Sequence, residues 1–155
     1  MKTLIFHIGS DRYGLRLRDV VRVLPLLELK QLPQAPASVA GLMDFHGQSV
    51  PVIDLCRMSG LEPAPEHYDT RIVLANYQTP EGAAHLLGLL AERVLGVQEV
   101  SEGTLADSGV QAAPFLGQVA SDSKGIVQLV ELNQLLPAGL RAILFQSASA
   151  SESTL

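Results

Sequence analysis

Apolar residues come in short bursts along this chain, each closed by Gly, Pro or a polar pair. Thr3 to Ile8 is one burst, Gly9-Ser10-Asp11 a turn, and Tyr13 to Leu17 the return, with Tyr13, Leu15 and Leu17 alternating against Gly14 and Arg16. This predicts an opening hairpin. Arg18 to Val21 holds at most one helical turn, and Arg22 to Leu27 reads as another strand or an extended arm. Pro33 and Pro36 then keep the approach to Gly41 extended. Gly41 to Phe45 alternates as a strand, with Leu42, Asp44 and His46 on one face and Met43 and Phe45 on the other. His46-Gly47-Gln48 is the predicted turn, with Gly47 free to take a positive φ. Ser49 to Ile53 returns. Pro51 cannot donate to a ladder, so its side of the strand should meet an edge or a bulge. Asp54 is placed to cap a short helix, Leu55 to Met58, which Ser59-Gly60 stops.

The second half follows the same pattern. Leu61 to His67 is a polar, proline-bearing linker. Arg71 to Asn76 is apolar without alternation, which predicts burial on both faces. Thr79 to Gly82 is a hairpin turn, His85 to Leu90 a strand, Ala91-Glu92-Arg93 a bend, and Val94 to Val100 a further strand. Ser101 to Ala113 is loop-like. Phe115 to Ala120 and Gly125 to Val130 form a last hairpin across Ser121 to Lys124. Glu131 to Leu136 is a helical turn ended by Pro137; Leu140 to Phe145 fits either a final helix or an added strand. Many short strands broken by Gly and Pro predict an all-β barrel class, and no long repeat points to a solenoid or propeller.

Composition narrows the function. The chain has 155 residues, 47% of them hydrophobic and 17% charged, enough for one core-rich domain or two small barrels sharing a core. Residues 147–155, rich in Ser, read as a flexible tail after a single domain over residues 1–146. The net charge is −5 with no basic run, which disfavours nucleic acid as a partner. A single cysteine precludes an internal disulfide and fits a cytoplasmic setting. The apolar run at the N-terminus is too short for a signal peptide, and no stretch approaches the ~18–20 apolar residues of a membrane span.

The usual chemistry is missing. Cys56 sits among Ile53, Leu55 and Met58 and reads as a small buried hydrophobe rather than a nucleophile. His7, His46, His67 and His85 are scattered, without the paired spacing of a metal site. Nucleotide-binding glycine loops and the serine-hydrolase elbow are absent. The expectation is a binding module with no catalytic residue, metal or cofactor.

The run Pro33-x-x-Pro36, Val39-x-Gly41-Leu42, Gly47, then Val50-Pro51-Val52-Ile53-Asp54-Leu55 resembles the signature of the CheW-like family, the coupling proteins that link chemoreceptors to a histidine autokinase in bacterial chemosensory arrays. Gly88 to Val97, with Glu92 in an acidic slot, and Gly117 extend the resemblance, which runs from about Leu4 to Leu136. It implies a mainly β fold of two small SH3-like five-stranded barrels sharing a core, with short helices. It implies a non-enzymatic, cytoplasmic adaptor that reaches membrane-bound receptor arrays through its partners. Those partners would be the regulatory domain of a chemotaxis-type histidine kinase and the cytoplasmic tip of a chemoreceptor.

By family position, Val20, Arg22, Val23 and His46 are expected near the receptor-facing groove; Asp44, Phe45, Leu95, Gly96 and Val97 are further contact candidates. Two positions depart from the family pattern. Arg22 stands where relatives carry Glu, and His46 where they carry Arg, and in relatives those two can pair. The departures imply either neutral drift of an exposed pair or a divergent member serving an alternative, non-flagellar pathway with matched partners. Two rivals stand beside this reading. One is an adaptor that binds only the kinase, or serves another complex. The other is a small-ligand-binding or enzymatic barrel with His46, Asp44 and Asp54 as its polar site.

Overall fold

The structure is a computed structural model that describes residues 1–65, 69–101, 105–107, 109, 114–122 and 124–145. His67, most of the 101–113 loop and the expected 147–155 tail lie outside the described residues. The strands are β1 (Lys2–Ile8), β2 (Asp11–Arg16), β3 (Val20–Pro25), β4 (Val39–Phe45), β5 (Gln48–Asp54), β6 (Arg71–Gln78), β7 (Ala84–Glu99), β8 (Leu116–Asp122) and β9 (Gly125–Val130). Two short helices, α1 (Leu55–Met58) and α2 (Ala138–Leu144), and 3-10 turns at Leu17–Asp19 and Leu132–Gln134 complete the described elements. The fold is mainly β, as expected, and the open alternative at the C-terminus resolves as a helix.

One strand organises the rest. The Ala91-Glu92-Arg93 bend does not divide two strands; it lies inside β7, which runs 16 residues. Arg93 takes a φ of 43°, and the pairing of β1 with β7 shifts register between Ile5 and His7. The first half of β7 pairs antiparallel with β6 and parallel with β5; the second half pairs antiparallel with β1. Each half of β7 therefore belongs to its own five-stranded group: β1, β2, β9 and β8 on one side, β3, β6, β5 and β4 on the other. Both groups are open in their hydrogen bonding among the described residues, because the ladder order ends at β3 and at β8, with β4 at the end of the β5 branch.

The burial pattern explains β6. Val73, Ala75 and Tyr77 point into a core shared by both groups, together with Leu4, Phe6 and Leu15 from the other side. Ile72 and Leu74 point the opposite way, into a second cluster with Met43, Val50 and Val52. A strand between two cores has no polar face, hence the unbroken apolar run. Pro51 lies on a strand flanked by β4 and β7, not at an edge, and falls one residue before the parallel ladder with β7 starts at Val52. The α2 end is fastened by Phe145, whose ring stacks on His85 at 4.2 Å and on Tyr77 at 5.7 Å. Arg16 donates two hydrogen bonds of 3.0 Å to the Glu131 carboxylate and so ties β2 to the segment after β9.

Candidate partner-binding surface

β3 lies at the end of the ladder order and, among the described residues, pairs only with β6. The register slips between Val20, opposite Ala75, and Arg22, opposite Leu74, so Val21 is an extra residue in the strand. Such a bulge re-aims the side chains around it. Val20 packs against the shared core and Leu24 against the second cluster. Between them three consecutive side chains face outward, with Val21 43% and Val23 39% exposed and Arg22 exposed as well. Val21 was not among the sequence candidates; the signal it left is the doubled Val20-Val21, which breaks strict alternation.

The β4–β5 turn reaches the same place. His46 and Gly47 both take positive φ, 51° and 85°, the two-residue geometry that matches strand twist in a tight hairpin. The Gly47 N–H donates to Asp44 Oδ1 at 2.8 Å, so Asp44 holds the turn. Phe45 leans on the second cluster, and the His46 ring meets it edge-on at 4.4 Å and 70°. The Arg22 guanidinium lies over the Phe45 ring, 5.7 Å from its centre. An exposed contact of this kind contributes about 0.5–1 kcal/mol. Residues far apart in sequence thus form one cluster of Val21, Arg22, Val23, Phe45 and His46.

Other candidates separate. Leu95, Gly96 and Val97 lie on the half of β7 that pairs with β1, opposite Leu4 and Ile5 for Val97 and Gly96. They form a second apolar exposure in the other half of the molecule, with Leu95 65% and Val97 52% exposed. Asp54 is not near Asp44: one sits at the far end of the β4–β5 hairpin and the other beside its turn. Asp54 is buried, and its oxygens accept from the N–H groups of Cys56 (2.9 Å), Arg57 (3.4 Å) and Ala64 (3.0 Å). The polar site imagined for a ligand-binding barrel therefore has no convergent geometry. No three metal-ligating side chains come together among the described residues, and no helix among them is long and apolar enough to cross a membrane.

Cys56 is buried in the shared core, and its thiol donates to Glu92 Oε1 at 3.0 Å. Glu92, noted in the sequence only as an acidic position, thus caps a buried thiol from inside the β7 bend. Burial, then the Glu92 hydrogen bond, push the Cys56 thiol up to about 12 from its ordinary 9.0. The folded state therefore disfavours the thiolate. Its contribution to stability is intact below pH ~9 and is lost as pH rises toward ~12, where the unfolded thiol ionises first. Native protein should react with a thiol reagent at pH 8 far more slowly than urea-unfolded protein. Cys56→Ala should flatten the part of the stability loss between pH 9 and 11 that this thiol causes. Equal labelling of folded and unfolded chain would count against the assignment.

The CheW-like domain model matches residues 2–139. This chain belongs to the CheW-like family. Among its relatives is protein FrzA of Myxococcus xanthus, 26% identical over 136 residues, covering 84% of this chain and 82% of that protein. Another is the chemotaxis protein CheW of Thermotoga maritima, 24% identical over 127 residues, covering 82% and 77%. The crystal structure of the scaffolding protein TtCheW from Thermoanaerobacter tengcongensis superposes with a TM-score of 0.77 at 21% identity, covering 90% of this chain and 89% of that one. The CheW-like fold is thereby shown: two linked five-stranded groups around a shared core, consistent with the SH3-like pair expected from the sequence, with ladders that do not close among the described residues.

Proposed function

We propose that this CheW-like chain is a non-catalytic coupling adaptor of a chemosensory array, built as a single domain over residues 1–146 of two intertwined barrels. The observation that carries the proposal is the family match across residues 2–139. The names of its relatives, chemotaxis proteins and a scaffolding protein, point the same way. In this reading one barrel packs against the regulatory domain of a chemotaxis-type histidine kinase, itself CheW-like. The groove between the barrels receives the helical tip of a chemoreceptor, a helix-in-groove contact. Val20, Arg22, Val23 and His46 flank the receptor, with Phe45 behind Arg22; Leu95, Gly96 and Val97 add an apolar contact. The adaptor works in the cytoplasm, held at receptor arrays through these partners, and the exchanged charges at Arg22 and His46 suit an alternative, non-flagellar pathway. Modest surfaces suffice, since an array supplies avidity.

Calorimetry against the regulatory domain of a chemotaxis-type kinase from the same cell tests this. Binding with a Kd of about 1 µM, near −8 kcal/mol, is expected. Absence of binding to every such domain in that cell would move the chain to an adaptor of some other complex.

A further inference from the structure

We infer that Arg22 recognises a carboxylate on the chemoreceptor helix, so that this adaptor selects a tip that is acidic where Arg22 meets it. The inference rests on the coupling reading above and adds the sign of the charge its partner must present.

The Arg22 guanidinium meets the face of the Phe45 ring, and no carboxylate or hydrogen-bond acceptor among the described residues engages it. Asp44, one residue from that ring, already accepts from the Gly47 amide. The other ring beside Phe45 is the His46 imidazole, which offers no negative charge. In a chain of net charge −5 this is a cation without a counter-ion among the described residues.

It is also a cation held in place. The bulge at Val21 fixes where Arg22 leaves the edge strand, and the Asp44–Gly47 hydrogen bond fixes the turn that presents Phe45. A cation–π contact engages the charge of the guanidinium and none of its N–H groups as a conventional hydrogen bond, which leaves the flat fork that matches a carboxylate. Less side-chain freedom is then lost when a partner binds. Val21 and Val23 flank the charge and are exposed, so the patch is apolar, cationic, apolar. A helix that buries small apolar residues on either side of one Asp or Glu complements it. A basic residue there would meet a cation at close range, and such mismatches reject wrong partners more strongly than good contacts favour right ones.

The test measures binding of the full chain to a purified cytoplasmic chemoreceptor fragment carrying the helical tip, from the same cell, at low and high salt. Arg22→Glu should weaken binding about tenfold or more at low salt. Arg22→Gln should fall between that variant and the native chain. Arg22→Lys should keep the charge and lose the planar fork, and so rank above Gln and below the native chain. High salt should weaken the native chain and narrow its gap to Arg22→Glu. Arg22 is exposed, so melting temperatures should barely move; were Arg22→Glu to misfold, the order of Gln, Lys and native chain still decides. Equal affinity of native chain and variants, or tighter binding by Arg22→Glu, overturns the inference while native binding keeps the coupling reading. A native chain that binds the kinase domain but no receptor fragment overturns the inference together with the receptor half of that reading.

Discussion

Replacing Asp54 by Ala is expected to lower the unfolding free energy by about 3 kcal/mol, a large share of the ~5–15 kcal/mol typical of a domain. The carboxylate is buried and serves three backbone donors, the N–H groups of Cys56, Arg57 and Ala64. Two of these open α1, where no earlier turn can satisfy them. The third belongs to the segment that packs Ala64 against both apolar clusters. Alanine would leave all three donors unpaired where water has poor access. Asp54→Asn separates the causes. It keeps an acceptor for Cys56 and Arg57 but turns an amide N–H₂ toward Ala64, so it should cost about half as much. Denaturant unfolding followed by circular dichroism reads both. A loss below ~1 kcal/mol for Asp54→Ala would show that the cap is dispensable. The effect should also reach the proposed binding surface, because β5 carries Asp54 at one end and starts beside the His46-Gly47 turn at the other.

Asp54 also shows what a sequence makes visible. A cap is local: an acidic residue ending a strand, then four helical residues and a glycine, is a pattern of neighbours. The same holds for the opening hairpin, for the turn at Thr79 to Gly82, and for β6, whose missing polar face announces two cores. Pairings between distant segments leave no such trace. Nothing near Ile5 or Gly96 says that β1 will lie against the second half of β7. Nor does the sequence show that the Ala91 to Arg93 bend keeps one strand intact, because a bend inside a strand and a break between strands use the same residues. The candidate cluster divides in the same way. Val20, Arg22, Val23 and His46 came from family position. The approach of Arg22 to the Phe45 ring depends on how β3 and the β4–β5 hairpin close over the second cluster, a matter of tertiary packing. Asp44, a contact candidate by family position, also staples the turn, a role that only the folded hairpin makes visible.

Two glycines of the motif make the second large prediction, because they are there for different reasons. Gly88 has ordinary extended backbone, and its need is space. A Cβ there would stand 2.9 Å from Val52 Cγ2, 3.2 Å from Ile72 Cγ2 and 3.5 Å from the Pro51 carbonyl oxygen. Val52 and Ile72 are fully buried, and β7 is held at this residue by β5 on one side and β6 on the other. Neither the strand nor its neighbours can retreat without opening the second cluster. Gly88→Ala should therefore cost about 1–3 kcal/mol, more than the ~0.5–1 kcal/mol gained by removing a flexible glycine from a strand. Gly88→Val adds two methyl groups to the same clash and should abolish cooperative unfolding at 25 °C. At Gly47 the need is conformation: φ is 85°, and nothing lies within 4 Å of a Cβ. Gly47→Ala should cost about 1 kcal/mol of backbone strain, and Gly47→Asn less, since Asn tolerates the left-handed region. At Gly88, Asn should be worse than Ala, because a larger polar side chain enters an apolar cluster. Opposite rankings of Ala and Asn at the two positions, measured by denaturant unfolding, would separate a steric glycine from a conformational one. The same ranking at both would show that the second cluster yields more readily than its fully buried walls imply.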